Sequence, residues 1–140
     1  MESPTENAMV LRGSSIPAPW EEGFAPTVWR TVSPEAALRA INDAIPGVEM
    51  LDKPFKLVNI VIHSITLTDP DTGEETVAPR TILIDEKAHA YAFVSKGVVS
   101  SLSLLCSLLD RKPPFDPPIA VKVIQLPIKG GFRVYRLTLA

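Results

Sequence analysis

The chain has 140 residues and a mass of 15.2 kDa, and 46% of its residues are hydrophobic, so it is long and apolar enough to fold as one domain. A single cysteine, Cys106, and two histidines exclude an internal disulfide framework and an ordinary structural zinc site, and we predict no metal and no cofactor. No apolar run reaches the ~18 residues of a membrane span, and the opening residues lack the apolar core of a signal peptide. The sequence therefore predicts a cytoplasmic protein without a membrane partner.

Charge is distributed unevenly along the chain, although the formal net charge is only −2. Residues 1–110 hold eight Lys and Arg against fifteen Asp and Glu, a balance of −7, whereas residues 111–140 hold six against one, a balance of +5. The local field governs the binding of a polyanion more than the total charge does. The C-terminal segment therefore predicts a cationic surface on a mildly acidic protein.

Residues 1–31 contain several prolines, glycines and serines and no sustained periodicity, so we predict an extended N-terminal arm, followed by a folded domain over 32–140. Three aromatic residues are unusual in such an arm: Trp20, Phe24 and Trp29. We expect them to anchor the arm on the domain or on a neighbouring subunit of a homo-oligomer. Stacking of these rings on a ligand is the alternative.

The domain begins with a helix and continues mainly as strands. Ser33 and Pro34 form an N-cap with proline at the first helical position, and apolar residues at helical spacing predict a helix over 34–45. Runs rich in β-branched residues predict five strands, over residues 57–67, 80–85, 89–95, 119–126 and 132–139. A second helix is predicted over 97–109, with Val98, Leu102, Leu105 and Leu109 on its buried face, which Val99, Cys106 and Leu108 widen. Four prolines exclude regular structure over 111–118.

The predicted fold class is all-β with one or two helices. The order strand, strand, strand, helix, strand, strand is typical of a five-stranded OB-fold barrel, here with an N-terminal helix and an extended arm. Other small β folds also have five strands. The position of the helix between the third and fourth strands favours the OB-fold.

The third predicted strand offers two different faces, because side chains alternate along a strand. One face carries His89, Tyr91 and Phe93, and the other carries small residues that suit a narrow barrel interior. This assignment leaves an aromatic row outside, where each ring contributes ~1–3 kcal/mol by stacking on a base. The alternative places Tyr91 and Phe93 in the core.

The last two strands carry the cations. Ile119, Val121 and Val123 are expected to be buried, which turns Lys122 outward, and the fifth strand is expected to expose Phe132 and Arg136, with Arg133 reaching solvent near its start. Lys129 lies in the loop between these strands, a position that often contacts nucleic acid in OB-folds. The candidate nucleic-acid contacts are Arg80, Tyr91, Phe93, Lys96, Lys122, Lys129, Phe132, Arg133 and Arg136.

Catalytic motifs are missing from the sequence. His63 and His89 lie on predicted strands without a paired nucleophile motif, Cys106 is expected to be a core residue, and there is neither a Walker loop nor a GxGxxG motif. We therefore expect a protein that is not an enzyme and has no small-molecule substrate.

Three stretches, over residues 74–85, 91–102 and 118–125, resemble single-stranded DNA-binding proteins of bacteriophages and mobile elements, as does Ala40-Ile41-Asn42 in the first helix. The similarity covers about residues 30–140. It implies an OB-fold that coats exposed single strands during replication or recombination, with replication proteins as further partners. Two features depart from this family: the chain ends at Ala140 without an acidic tail, and residues 86–88 contain no glycine in the turn after the second strand.

The sequence thus favours a non-catalytic, largely sequence-independent binder of single-stranded DNA. An OB-fold that serves as a protein–protein interaction module is the alternative from another class, and the mild acidity of the chain favours it. A third alternative is an RNA-binding OB-fold, because no residue indicates whether a 2′-hydroxyl is recognised.

Overall fold

The structure of the protein, a computed structural model, describes residues 28–127 and 133–140. Two α-helices, α1 and α2, span Pro34–Asp43 and Lys96–Leu109, and a 3-10 helix spans Gly47–Met50. The seven strands are β1 (Trp29–Arg30), β2 (Ile45–Pro46), β3 (Phe55–Thr68), β4 (Glu75–Asp85), β5 (Ala90–Val94), β6 (Ile119–Pro127) and β7 (Arg133–Leu139). The prediction of a mostly β protein with two helices is confirmed, and α2 lies between the third and fourth long strands as expected.

The strands form one curled sheet with the order β2-β5-β4-β3-β6-β7, and β1 pairs with β3 beside this path. β3, β4 and β5 form an antiparallel meander, and β6 returns after α2 to pair with β3 on its other edge. Three consecutive strands followed by a fourth that lies beside the first make a Greek key. β7 then pairs with β6. Within the described residues no ladder joins β5 to β7, so the sheet is a half barrel.

The concave side of this sheet holds the larger hydrophobic core. β3, β4, β5, β6, β7 and α2 all contribute to it, and its largest fully buried side chain is Phe115. Phe115 belongs to the proline-rich segment 111–118, which has neither helix nor strand, as predicted. Its backbone amide donates to the carbonyl of Val58 at 2.9 Å, and the Arg111 guanidinium lies 5.6 Å from the centre of its ring.

The convex side of β3, β4 and β5 is covered by α1. Ser33 caps the helix by accepting a hydrogen bond from the Ala36 amide at 3.2 Å, and Ala37 and Ala40 pack against the sheet. The helix ends at Asp43, two residues before the predicted end, because Ile45 and Pro46 pair with β5 as a short strand. Over these three strands the sheet is therefore covered on both faces.

Helix α2 closes the concave side and lies along the free edge of β7. Ser95 caps it, and its buried residues are Val98, Leu102, Leu105 and Cys106. The prediction that Leu108 and Leu109 belong to this face is wrong: both side chains are exposed, because the last turn of the helix, before the C-cap Asp110, extends beyond the core. The amide of Leu137 in β7 donates to Ser101 Oγ at 2.9 Å. The edge of β7 therefore forms a hydrogen bond with α2, whereas in a closed barrel it would pair with another strand.

Candidate nucleic-acid interface

The register of three adjoining strands places three cations on one face of the sheet. Lys56 of β3 pairs with Ala120 of β6, and Lys122, two residues further along β6, pairs with Thr138 of β7. Arg136 lies two residues before Thr138, so Lys56, Lys122 and Arg136 point to the same side. Diagonal neighbours of this kind are about 7–8 Å apart between Cα atoms. These three residues form a cationic ladder that crosses the strands obliquely.

The cationic ladder lies on the convex, solvent side of the sheet. Lys56 and Arg136 are exposed and Lys122 is half-buried, whereas the alternate positions of the same strands are buried in the core: Phe55, Leu57, Val121, Val123 and Leu137. The predictions that Lys122 and Arg136 face outward are confirmed.

At the Lys56 end of the cationic ladder lies an exposed acidic residue, Glu86, whose amide donates to the Lys56 carbonyl at 3.0 Å. The sequence contains no Asp or Glu after Asp116, so neither β6 nor β7 carries a carboxylate. Among residues 28–127 and 133–140, none of the three cations forms an ion pair. Unpaired cations on one face attract an anionic chain.

Sequence reasoning missed Lys56 because the first strand was predicted to begin at Leu57, whereas β3 begins at Phe55. The alternation of Phe55, Lys56 and Leu57 continues the strand pattern towards the N-terminus and could have identified it. Lys56 is 66 positions before Lys122, so only the pairing of β3 with β6 brings them together.

Several candidates lie outside the described residues: Lys129 and Phe132 in the β6–β7 connection, and Trp20 and Phe24 in the arm. Arg133 begins β7, where its backbone pairs with Pro127. Trp29 of β1 packs against the main core of its own chain. Lys96 is exposed at the first position of α2 and does not belong to the cationic ladder.

The expectation of an exposed aromatic row on β5 is wrong. Tyr91 and Phe93 are 6% and 3% exposed and belong to the main core, where the Phe93 ring lies 6.0 Å from that of Tyr135. The small residues Ala90 and Ala92 instead face α1. A helix approaches a sheet closely over alanine, and large side chains fill the concave side. In this arrangement neither Tyr91 nor Phe93 is available to stack on a base.

The hydroxyl of Tyr91 has a structural partner. It donates to Asp85 Oδ2 at 3.1 Å, while Asp85 Oδ1 accepts from the amides of Lys87 and His89, each at 2.9 Å. Burial, followed by the hydrogen bond and charge of Asp85, raises the pKa of Tyr91 above its ordinary value of 10.0. The buried carboxylate thus organises the β4–β5 turn, in which Ala88 has a left-handed φ of 67°.

Arg80 is also occupied by contacts within the protein. Its guanidinium donates to the carbonyl of Ile41 in the last turn of α1 and lies 3.0 Å from Nε2 of His63, with the same distance to each. A cation is favourable at this helix end, where carbonyls are unpaired. Burial, followed by Arg80, lowers the pKa of His63 from its ordinary value of 6.5, so a neutral His63 accepts the hydrogen bond. Arg80 therefore connects α1 to the sheet by hydrogen bonds, and its guanidinium is not free to bind a phosphate.

Comparison with known proteins leaves the sequence resemblance without independent support. No family model, curated protein or solved structure matches the chain. The likeness to single-stranded DNA-binding proteins of bacteriophages thus stays a prediction from the three stretches quoted above.

The described residues also lack the features of other classes of site. Neither described helix is long and apolar enough to cross a membrane, and no three His, Cys, Asp or Glu residues of this part of the chain are grouped as metal ligands. Cys106 is buried, as expected of a core residue, and burial raises the pKa of its thiol above the ordinary value of 9.0.

A cleft of about 1180 Å³ opens between α1, the β4–β5 turn and the proline-rich segment. Its lining includes four carboxylates and one guanidinium: Asp43, Asp85, Glu86, Asp116 and Arg39. This balance of charge repels phosphate. The cationic ladder, although it is flat, is the better candidate for binding a nucleic acid.

Proposed function

We propose that this protein is a non-catalytic binder of single-stranded DNA that holds the sugar-phosphate backbone against the convex face of β3, β6 and β7. The observation that carries the proposal is the cationic ladder of Lys56, Lys122 and Arg136, none of which forms an ion pair with another described residue. A cationic track across a sheet provides contacts to phosphates without reading the base sequence.

We further propose that the half barrel is an OB-fold. The Greek-key order of β3, β4, β5 and β6, with α2 before the fourth strand and β7 as the fifth, supports this assignment. OB-folds bind oligonucleotides through the face of their second and third strands and through the loops after the first and fourth strands. Here α1 covers the convex face of β4 and β5. The nucleic acid would therefore lie on the neighbouring strands, next to the β6–β7 connection that carries Lys129.

The proposed contact is mainly electrostatic, because the described aromatic residues belong to the core or pack against it. For a single strand, the logarithm of the binding constant falls with the logarithm of salt concentration by about 0.7 per phosphate neutralised. Three ladder cations that each neutralise one phosphate contribute a slope of about −2. Lys129 and Arg133 would add to it.

Fluorescence anisotropy with labelled poly-dT, at several salt concentrations, tests the proposal. In the ladder variant Lys56, Lys122 and Arg136 are replaced by Gln. We expect its salt slope to be shallower by about 2. The matched control replaces three exposed cations elsewhere by Gln, namely Arg39, Lys53 and Lys87. It removes the same charge and is expected to keep the slope of the original protein. Equal slopes for the two variants would contradict the role of the ladder.

The same titration, repeated with duplex DNA and with RNA of equal length, separates the alternatives. Preference for the DNA single strand supports the proposal, and equal or tighter binding of RNA would contradict the DNA assignment. A failure to bind any of the three would refute nucleic-acid binding and leave the protein–protein interaction module as the better hypothesis.

A further inference from the structure

A second surface feature is an apolar groove between α2 and β7, with a volume of about 660 Å³. Four leucines of its lining are strongly exposed: Leu104 by 59%, Leu108 by 74%, Leu109 by 39% and Leu139 by 52%. The sequence has no charged residue from Gly97 to Leu109, so beyond Lys96 at its first position the exposed face of α2 is uncharged. A contiguous apolar surface of this kind indicates a binding site. This groove is separate from the cationic ladder except at Arg136, which lies on its rim.

The arm contains a segment with complementary chemistry. Residues 16–24 read Ile-Pro-Ala-Pro-Trp-Glu-Glu-Gly-Phe and place two large aromatic side chains, Trp20 and Phe24, four positions apart. A fully extended chain spans at most about 3.3–3.6 Å per residue, so four positions can separate Trp20 from Phe24 by at most about 14 Å along the chain. The 14-residue helix α2 is about 21 Å long, so one groove accommodates both rings.

The charges of the groove and of residues 16–24 also favour this segment as the occupant of the groove. Glu21 and Glu22 lie between the two aromatic residues. Among the described residues that line the groove, Arg136 carries the only charge. The groove, with a cation on its rim, and the segment, with two carboxylates, therefore carry opposite charges.

The tether is long enough for the segment to belong to the same chain. Eight positions separate Trp20 from Val28, where the described domain begins, and they extend to about 26 Å, close to the diameter of a small domain. Trp29, which follows, packs against the core to which α2 contributes. A short tether gives an effective concentration in the millimolar range, so the arm of the same chain is favoured over that of a second copy at micromolar protein.

We propose that the groove between α2 and β7 is the docking site of residues 16–24 of the same chain. Trp20 and Phe24 occupy its apolar part, and Glu21 and Glu22 lie beside Arg136. Arg136 belongs both to this groove and to the cationic ladder, but the docking itself does not require nucleic acid to be bound.

Tryptophan fluorescence of the full-length chain tests this docking. The sequence has two tryptophans, and Trp29→Phe leaves Trp20 as the sole reporter. We expect its emission to be blue-shifted, and less quenched by acrylamide, in the folded protein than in urea. In this background Leu104→Asp is expected to remove both differences, because it places a carboxylate in the groove beside Glu21 and Glu22. The matched control is Leu38→Asp on α1: Leu38 is also 59% exposed but does not line the groove.

Each outcome decides the proposal. Emission of Trp20 that is the same in the folded and the urea-unfolded protein would overturn it, as would equal effects of Leu104→Asp and Leu38→Asp. Circular dichroism verifies that the variants are folded, and Leu108→Asp, at a more exposed position of the groove, provides a second test if Leu104→Asp fails to fold. A blue shift that disappears on hundredfold dilution would assign the groove to the arm of another copy and refute docking within one chain.

Discussion

Substitution of Gly97 by alanine tests how closely α2 lies against β7. Gly97 is the second residue of α2, and a Cβ atom at this position would lie 2.3 Å from the carbonyl oxygen of Tyr135. Ordinary van der Waals contact begins near 3.4 Å. The obstructing atom belongs to the backbone of β7, so no side-chain rotation relieves the overlap. The helix and the strand must instead move apart by roughly 1 Å.

The expected loss of stability follows from the interactions between α2 and β7 that this separation weakens. A gap of 0.5–1 Å forfeits about a quarter to a half of the dispersion energy between the facing atoms. The hydrogen bond from the Leu137 amide to Ser101 Oγ, worth about 0.5–1.5 kcal/mol, is stretched as well. The higher helix propensity of alanine relative to glycine offsets up to ~1 kcal/mol of this loss. Since overpacking typically costs about 1–3 kcal/mol, we expect Gly97→Ala to lower the free energy of unfolding by about 2 kcal/mol.

Urea denaturation followed by circular dichroism measures this difference. Ser107→Ala is the control, because Ser107 is exposed on the same helix and does not line the groove between α2 and β7. A Gly97→Ala protein as stable as the Ser107→Ala protein would refute the close approach of α2 and β7.

Two further predictions concern stability. Because the pKa of His63 is lowered in the folded state, its contribution to stability is complete above pH 6.5 and is lost as the pH falls below 6.5 towards the folded-state pKa. We expect His63→Gln, measured by urea denaturation from pH 7.5 to 5, to remove this part of the pH dependence of stability. An unchanged dependence of stability on pH would contradict the contact between His63 and Arg80. Ala88 has a φ of 67°, a conformation that costs an L-residue roughly 1–2 kcal/mol. After the greater backbone entropy of glycine is subtracted, Ala88→Gly is expected to stabilise the protein by about 0.5–1 kcal/mol in the same assay, and a lower midpoint would rule out strain at this turn.

Ala88 lies in the turn between β4 and β5. This turn contains no glycine, although its backbone adopts a left-handed conformation at Ala88. The amides of Lys87 and His89 bond to Asp85 and hold the turn in place without glycine. Ala88 therefore carries the backbone strain of this turn, and the β4–β5 hairpin forms without glycine.

The sequence predicted the long elements well because each has a clear local signal. The second helix was predicted to begin at residue 97 and begins at Lys96, and the fourth strand begins at Ile119 as predicted. β4 begins at Glu75 rather than at residue 80, because its first residues are held by pairing with β3. Such pairing depends on the partner strand and leaves no local pattern, and the two-residue strands β1 and β2 were missed for the same reason.

The candidate site was harder to predict than the fold. Alternation divides β5 correctly into two sets, but it does not show which set faces the concave side. That choice depends on α1, which covers the face of Ala90 and Ala92 and leaves the larger interior to Tyr91 and Phe93. For β6 and β7 one face is apolar and the other carries cations, so Lys122 and Arg136 were placed correctly.

The Greek-key pairing of β3 with β6 also has a consequence for the order in which the protein folds. The meander β3-β4-β5 joins neighbouring segments, whereas Phe55 must find Val121, 66 positions later. Closing a long loop costs conformational entropy before any non-local contact can offset this cost. We therefore expect the meander to form first and β6 and β7 to join it last. During synthesis from the N-terminus, the acidic part of the chain is then structured before its cationic counterpart emerges. The surface proposed to hold DNA is assembled only in the final step.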